Sequence, residues 1–542
     1  MASTALDLRD RAALFTRLTG ETFDVLVIGG GITGAGIVRD AAMRGLRAAL
    51  IEAYDFGAGT SSRSTKLVHG GLRYLAQGDV GLVREAASER AIVKQIAPHL
   101  AAATPVIVGG RSRAHLATLR AGLWTYEKLG GVAAAERHEV WDRARLQRDE
   151  PALMTDTWAG AVVYAEYITD DARLTLANVR SAASHGAVVA NHAAVTAFVR
   201  EGSAIVGVAV TDTLGGDGGQ TFTVRGRVIV NATGPWADRL RALEAPRAPA
   251  WLQLTKGVHL VVPRARLQMQ HMAIVDAADG RGVFIVPRGD YVYIGTTDTF
   301  YPQPEYWPGL DAQDVAYVLD SANRNIRGKL HVADVVASWA GLRPLVSQPG
   351  KAPSEISRRD ETTIGPGGVV TIAGGKLTAF RRMAERVIDL CETRLGRARP
   401  TKATTAQEPL PGGDGALSPD QLRAGARQMG LDASQAERLA RLYGSEALQV
   451  LARGVGAAAE AEHAVLIEGA LTLEDWWVRR SSRAWFDGAA GALPQGAARM
   501  ATLLGWSEAE TARQIALCRT RVRADAGERP PAVAGERSPA TA

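Results

Sequence analysis

Hydrophobic residues crowd the stretch from Phe23 to Ile28, a run short for a helix and without regular polar alternation, which predicts a buried strand. Glycines follow it, then "AGIVRDAAMRG" with apolar residues at helical spacing, then "LRAALIE" as a second strand. That order is a βαβ opening, the start of a parallel sheet. Helical spacing returns in "VGLVREAASERAIVKQIAPHL" and again from Asp170 to Gly186, which leads into the strand-like "AVVA". Alternating strands with a glycine-rich turn at Gly215 to Gly219 predict a β-meander that ends in the buried strand of "VIVNATG". From Trp251 to Gly295, "KGVHLVVP", "GVFIVP" and "YVYIGTTD" read as antiparallel strands of a second, substrate-facing sheet. Beyond Thr401 the pattern turns linker-like, and Gln421 to Arg523 is helical throughout.

Composition changes this picture little. The 542 residues, 46% hydrophobic and 22% charged, suffice for two or three globular domains. The 63 basic residues are interleaved with 57 acidic ones, so the net +6 is a matter of solubility and no nucleic-acid partner is expected. Cys391 and Cys518, far apart in the chain, make neither a disulfide framework nor a cysteine metal cluster, and no metal is expected. A reducing, cytosolic compartment fits this. Charges interrupt every apolar run, so no spanning helix is predicted, and the N-terminus has no apolar core followed by a cleavage site.

Chemistry enters with "DVLVIGGGITGAGIVRD". Gly29, Gly31 and Gly34 form G-x-G-x-x-G between a predicted strand and a predicted helix. Side chains there would keep a pyrophosphate from the helix N-terminus, where unpaired N–H groups favour negative charge. Glu52 closes the second strand at the distance where an acid accepts from a ribose hydroxyl, and its charge disfavours a 2′-phosphate. FAD and NAD share this fingerprint. Later strands that end in glycine, at Gly234 and at Gly374 and Gly375, suggest a long cofactor gripped by late parts of the chain, which favours FAD.

The series "VIGGGITGAGIVRDAAMRGL", "GTSSRSTKLVHGGLRYL", "DDARLTLANVR", "NATGPW", "KGVHLVVP", "IGTTDT", "GLRPL" and "GGKLTAFR", in this order, resembles the FAD-dependent (aerobic, respiratory) glycerol-3-phosphate dehydrogenase family. The resemblance implies an α/β fold: a Rossmann-like FAD-binding domain, an antiparallel-sheet substrate domain of D-amino-acid-oxidase type and a helical C-terminal domain. We divide the chain accordingly into an FAD-binding domain (23–98, 157–236 and 339–396), a substrate or cap domain (99–156 and 237–338), a helical domain (405–525) and a disordered tail (526–542). The implied reaction is oxidation of sn-glycerol 3-phosphate to dihydroxyacetone phosphate by hydride transfer to flavin N5, with electrons passed to membrane quinone. A glycerol-3-phosphate oxidase using oxygen, or a flavin oxidase of another small substrate, has the same architecture.

With FAD at the glycine turn, "SSRSTKLVHGGLRYL" lies along the flavin. Ser61, Ser62, Ser64, Thr65 and the backbone of Lys66 and Leu67 are expected to satisfy its polar atoms, and Gly70 and Gly71 to admit its ring. His69 and Arg73 point to the substrate, with Tyr74 beside them. An imidazole titrates near working pH, so His69 is the candidate base, with His259 as its rival. The resemblance puts Arg343 and Arg358 on the substrate phosphate, Arg73 nearby, and Lys376 by the reacting hydroxyl or the flavin. Gly375, Lys376 and Leu377 belong to the cofactor wall. "SRRD" leaves the register open between Arg358 and Arg359. Relatives often read "GGKLTTYR", whereas Ala379 and Phe380 stand here, so Thr378 remains as the donor. Asp170, Asp171 and Arg173 are read as helix-capping residues paired with each other. Val106 to Gly131 mixes Arg111, Arg113, Arg120 and Lys128 with Leu116, Leu119, Leu123, Trp124 and Tyr126, the composition of an interfacial segment. The expected setting is the cytoplasm, peripherally on the inner face of the cell membrane, with a homodimer possible in view of the helical domain.

Overall fold

The computed structural model describes residues 5–70, 80–215, 219–415, 419–487 and 491–522. Thr22–Ile28 pairs in parallel with Ala48–Ile51 on one side and Thr221–Asn231 on the other, and the helix Ile32–Met43 crosses between the first two. Val188–Ala190 and Val370–Gly374 extend this parallel core, and Asp360–Ile364 closes one edge antiparallel. The hairpin Ala193–Glu201 and Ala204–Asp212 joins through Thr221–Asn231, as the meander pattern predicts. The helices Arg11–Gly20 and Ile32–Met43 pack against strands of this sheet, and Val25, Leu26 and Val27 are fully buried, which is why the run lacks alternation.

A second sheet of 10 strands is centred on Leu252–Pro263, which pairs antiparallel with Tyr291–Gly295 and with Ala337–Val346. It continues through Met272–Asp276 and Ala102–Gly110 to Gly160–Ile168 and the short Leu67–Val68. Here the layout departs from our division of the chain. Gly160–Ile168 and Ala337–Val346, assigned in large part to the FAD-binding domain, hydrogen-bond into the substrate sheet, because a sheet recruits strands by register and not by position in the chain.

The stretch 401–410, expected as a linker, is strapped down. Buried Arg39 donates to the carbonyls of Thr405 and Glu408, and Leu410 is 1% exposed. Helices from Pro419–Gln428 to Glu508–Val522 then form the C-terminal domain. The tail placed at 526–542 lies outside the described residues.

Candidate active site

One cavity of about 1120 Å³ takes its walls from both sheets. At one end the strand Thr22–Ile28 breaks at Gly29, whose φ of +105° suits glycine. A Cβ on Gly29 would lie 2.7 Å from the Ala232 carbonyl oxygen, and one on Gly34 only 1.9 Å from that of Gly29. Gly34 therefore packs beneath the turn, while Gly29 and Gly31 form its wall. Gly31 caps the helix Ile32–Met43 with no side chain, and Ser61 Oγ instead accepts from the Ile32 N–H at 2.9 Å. The Glu52 carboxylate accepts from the N–H of Gly30 at 2.6 Å and of Tyr54 at 2.8 Å. Desolvation raises its pKa, and those two N–H groups hold it partly back. Gly234 and Gly375, at φ of +57° and +79°, line the cavity with Leu377.

The stretch 61–70 divides between the cavity and the interior. Ser61, Ser64, Leu67 and His69 stand on the wall, whereas Ser62 and Lys66 do not. Ser62 donates to the Gly59 carbonyl at 3.3 Å, and Lys66 Nζ reaches Asp171 at 2.6 Å and the Ser62 carbonyl at 2.9 Å. Ser64 also spends its hydroxyl on Asp171, at 2.7 Å. A buried ammonium needs a carboxylate, and satisfying Lys66 pulls this side of the loop inward. The expected mutual pairing of Asp170, Asp171 and Arg173 is replaced accordingly: Asp170 does cap the helix by accepting from the Arg173 N–H, but it pairs with Arg288, and Arg173 pairs with Glu468. Gly71, Arg73 and Tyr74 lie outside the described residues.

At the other end Arg343 and Arg358 share one carboxylate. Asp298 accepts from Arg343 at 3.2 Å and from Arg358 at 3.3 Å, and Arg343 is further held by Thr296 Oγ1 at 3.1 Å. All three charged groups line the cavity, as does Lys376, whereas Arg359 is exposed and off the wall. His259, expected as the lesser rival because its strand looks apolar, also faces the cavity. Its Nε2 bonds Thr65 Oγ1 at 3.0 Å, its ring stacks on Trp339 at 4.9 Å, and its Nδ1 has no partner among the described residues. Burial, then the charges of Arg343 and Lys66, push its pKa well below 6.5, so the ring is neutral. Thr378 is not on the wall: it is 2% exposed and donates to the His69 carbonyl at 3.0 Å, so its hydroxyl serves the histidine loop.

Sequence reasoning left Asp298 and Glu166 without roles. Asp298 stands in the quoted "IGTTDT", well before "GLRPL" and "ISRRD", and nothing in that order pairs it with their arginines. Glu166 lines the cavity behind His69, accepting from the Gly70 N–H at 3.2 Å and from Arg90 at 3.1 Å. Nothing in its strand marks it as different from a surface acid.

The glycine turn, the acid of the second strand and a long cavity fit a dinucleotide, since Cβ atoms at Gly29 or Gly34 would collide with backbone. Known proteins agree with this. A family profile described as FAD dependent oxidoreductase matches residues 24–390, and one described as the C-terminal domain of alpha-glycerophosphate oxidase matches 403–511. The aerobic glycerol-3-phosphate dehydrogenase of Bacillus subtilis is 39% identical over 506 residues, covering 88% of this chain and 90% of that protein. That of Staphylococcus saprophyticus is 40% identical over 445 residues, 79% of each. Among solved structures, the glycerol-3-phosphate dehydrogenase from Bacillus halodurans complexed with FAD superposes with a TM-score of 0.78 at 32% identity, covering 95% of this chain and 97% of that one. Glycine oxidase from Geobacillus kaustophilus, at 22% identity and a TM-score of 0.52 over 72% of this chain and 98% of that one, shares the fold.

Proposed function

The chain belongs to the FAD-dependent oxidoreductases, in the family of the aerobic glycerol-3-phosphate dehydrogenases, and from that premise we infer that it oxidises sn-glycerol 3-phosphate to dihydroxyacetone phosphate. It is an enzyme and its cofactor is FAD. One observation carries the substrate reading: two guanidinium groups, braced by a single carboxylate, stand on the wall of the cavity whose other end is the nucleotide cradle. With Asp298 between them, Arg343 and Arg358 keep a net positive charge that suits a phosphate dianion. Each charge-assisted hydrogen bond contributes about 1.5–3 kcal/mol. Arginine forks also fix direction, which sets the distance from phosphate to the reacting carbon.

Gly29, Gly31, Glu52, Ser61, Gly234, Gly375 and Leu377 would hold the cofactor. When bound, FAD supplies the acceptor, at flavin N5, for the hydride that leaves C2. The chain must supply a base for the C2 hydroxyl proton. We assign this to His69, with its carbonyl fixed by Thr378 and with Lys376 beside the reacting hydroxyl. A second reading gives the proton to His259, favoured by its unpartnered Nδ1 and neutral ring. The pH–rate profile of His69→Gln and His259→Gln distinguishes them: only loss of the base abolishes the acidic limb.

The test of the whole reading is an anaerobic spectrum of the yellow holoprotein. Glycerol 3-phosphate should bleach it and glycerol should not; an unbleached spectrum with the phosphate ester overturns the reading. The acceptor is proposed to be membrane quinone, and rapid turnover with oxygen alone would make the enzyme an oxidase instead. No helix among the described residues is long and apolar enough to cross a membrane. Contact with lipid is assigned to the helix Arg113–Gly130, on which Trp124 is 59% exposed among Arg113, Arg120 and Lys128. Its Leu123 and Tyr126 pack inward, so Trp124 and the cations form the face offered. Vesicle flotation unchanged by Trp124→Ser with the arginines replaced would remove this assignment. A homodimer on the cytoplasmic face of the membrane completes the proposal, and a monomer mass by sedimentation would strike the dimer out.

A further inference from the structure

The helical C-terminal domain contributes no described residue to the cavity wall, yet its most buried charges reach the cofactor end. Arg479 and Arg480, 1% and 0% exposed, converge on Asp55, three residues after Glu52. Arg479 Nε donates to Asp55 at 2.6 Å, and Arg480 Nη2 donates at 2.8 Å. Asn191 adds a third donor at 3.1 Å and ties itself to the Gly469 carbonyl at 3.0 Å. The arginines are themselves held: Arg479 by Asp475 at 2.8 Å and Glu474 at 3.0 Å, Arg480 by the Glu468 carbonyl at 3.0 Å. Asp55, His192 and Asp475 have the spacing of a cation site, but the two guanidinium groups already neutralise its carboxylates.

Between Glu52 and this clamp, Ala53 and Tyr54 line the cavity, and the ring there is that of Tyr54. Its N–H donates to Glu52, its carbonyl accepts from His192 N–H at 2.6 Å, and its ring stacks on Tyr306 at 4.2 Å. His192 in turn bonds Asp475 at 3.0 Å, and the Tyr306 hydroxyl accepts from Arg479 at 3.3 Å. So the turn 52–55 is held from outside by residues of the helical domain or by residues that domain grips. Buried ion pairs add little net stability compared with apolar packing, but they impose one geometry.

We propose that Arg479 and Arg480 are positioning residues for the cofactor: through Asp55 they fix the turn that presents Glu52 and Tyr54 to the adenosine half of FAD, so the helical domain serves cofactor retention. The inference rests on reading the Glu52 end of the cavity as the nucleotide end. It assigns the domain a role without placing it in the chemistry.

The experiment uses full-length apoprotein titrated with FAD and, separately, with ADP, following flavin or intrinsic fluorescence. Arg480→Met and Asp55→Asn should each raise both dissociation constants at least about tenfold, the equivalent of one lost hydrogen bond to a charged group. The KM for glycerol 3-phosphate of FAD-saturated variants should stay within about twofold, since the phosphate end is untouched. Arg180→Met is the control: it breaks the buried Arg180–Glu446 pair, 2.7 Å long, which also joins the helical domain to the rest, but through a carboxylate other than that of Asp55. It should lower the melting temperature and leave both dissociation constants unchanged. Equal effects of Arg480→Met and Arg180→Met on FAD binding would overturn the proposal, because the clamp would then be one interdomain contact among others. If Arg480→Met does not fold, Arg479→Lys with Arg480→Lys keeps both charges and loses the forks; unaltered FAD and ADP binding in that variant overturns it equally. Wild-type protein that takes up FAD but not ADP would refute the nucleotide-end reading instead.

Discussion

The two ends of the cavity are built by different means. The nucleotide end is made of backbone from one short stretch: Gly29 and Gly31 of a single turn, with Glu52 held by the N–H groups of Gly30 and Tyr54. The phosphate end is made of side chains that meet from far apart in the chain, Asp298 reaching Arg343 and Arg358 across the second sheet. A backbone cradle has no tolerance for added atoms, whereas a side-chain clamp is adjustable in strength. Mutations at the first end should therefore act as all-or-none losses, and those at the second as graded changes in affinity.

The largest effect expected is at Gly34. Its substitution by alanine puts a Cβ 1.9 Å from the Gly29 carbonyl, so the purified variant should carry essentially no flavin, read from the ratio of 450 nm to 280 nm absorbance at about the level of free protein. Normal flavin content would break the contrast at its first term. Next is Arg343→Ala, which should raise the KM for glycerol 3-phosphate by roughly 10²-fold, the worth of one or two charge-assisted hydrogen bonds, with flavin content unchanged. A joint loss of flavin would mean that the two ends are not separable. A smaller effect is expected from Asp298→Asn. The arginines gain net charge and lose their brace, so KM should change little while kcat falls about tenfold through looser placement of the reacting carbon.

The weakest test uses pH on two buried carboxylates of the helical domain. Burial would raise the Glu446 carboxyl, but Arg180 overrides it and sets it at about 2, against an ordinary 4.5. Glu460 is likewise at about 2, burial opposed by Arg438 and Arg483. A pKa depressed in the fold gives stability that is complete above 4.5 and is lost as pH falls toward 2. The share of the melting temperature owed to these two carboxylates should thus be flat above about pH 5 and drop below it, on top of the decline from about pH 6.5 that the buried imidazoles of His99 and His463 impose. In Arg180→Met the drop below pH 5 should be shallower, since Glu446 then loses the strongest of the charges that depress it.

How far the chain announced this arrangement depends on the range of the interaction. The βαβ opening and its glycines were legible because strand, turn and helix are adjacent and each glycine answers a local backbone demand. The place of His259 on the cavity wall was not legible because its strand, "KGVHLVVP", looks apolar throughout. Burial on both faces hides alternation, and the cavity side of the strand is visible only once Trp339 and Thr65 are set beside it. Ser62, Lys66 and Thr378 stood beside true wall residues in the chain and turned inward. Their partners, the Gly59 and His69 carbonyls and Asp171, are selected by a loop path that composition does not encode.

The amino-acid order alone determined the parallel-sheet opening, the dinucleotide cradle and the list of cationic and imidazole groups, since these depend on neighbours within a few dozen residues. Only the tertiary structure decided which of those groups share a cavity, that Asp298 holds Arg343 and Arg358 together, and that Arg479 and Arg480 reach back to Asp55. The reason is physical: a side chain's partners across hundreds of residues follow from how sheets recruit strands and how buried charges must be paired, and both are properties of the packed whole.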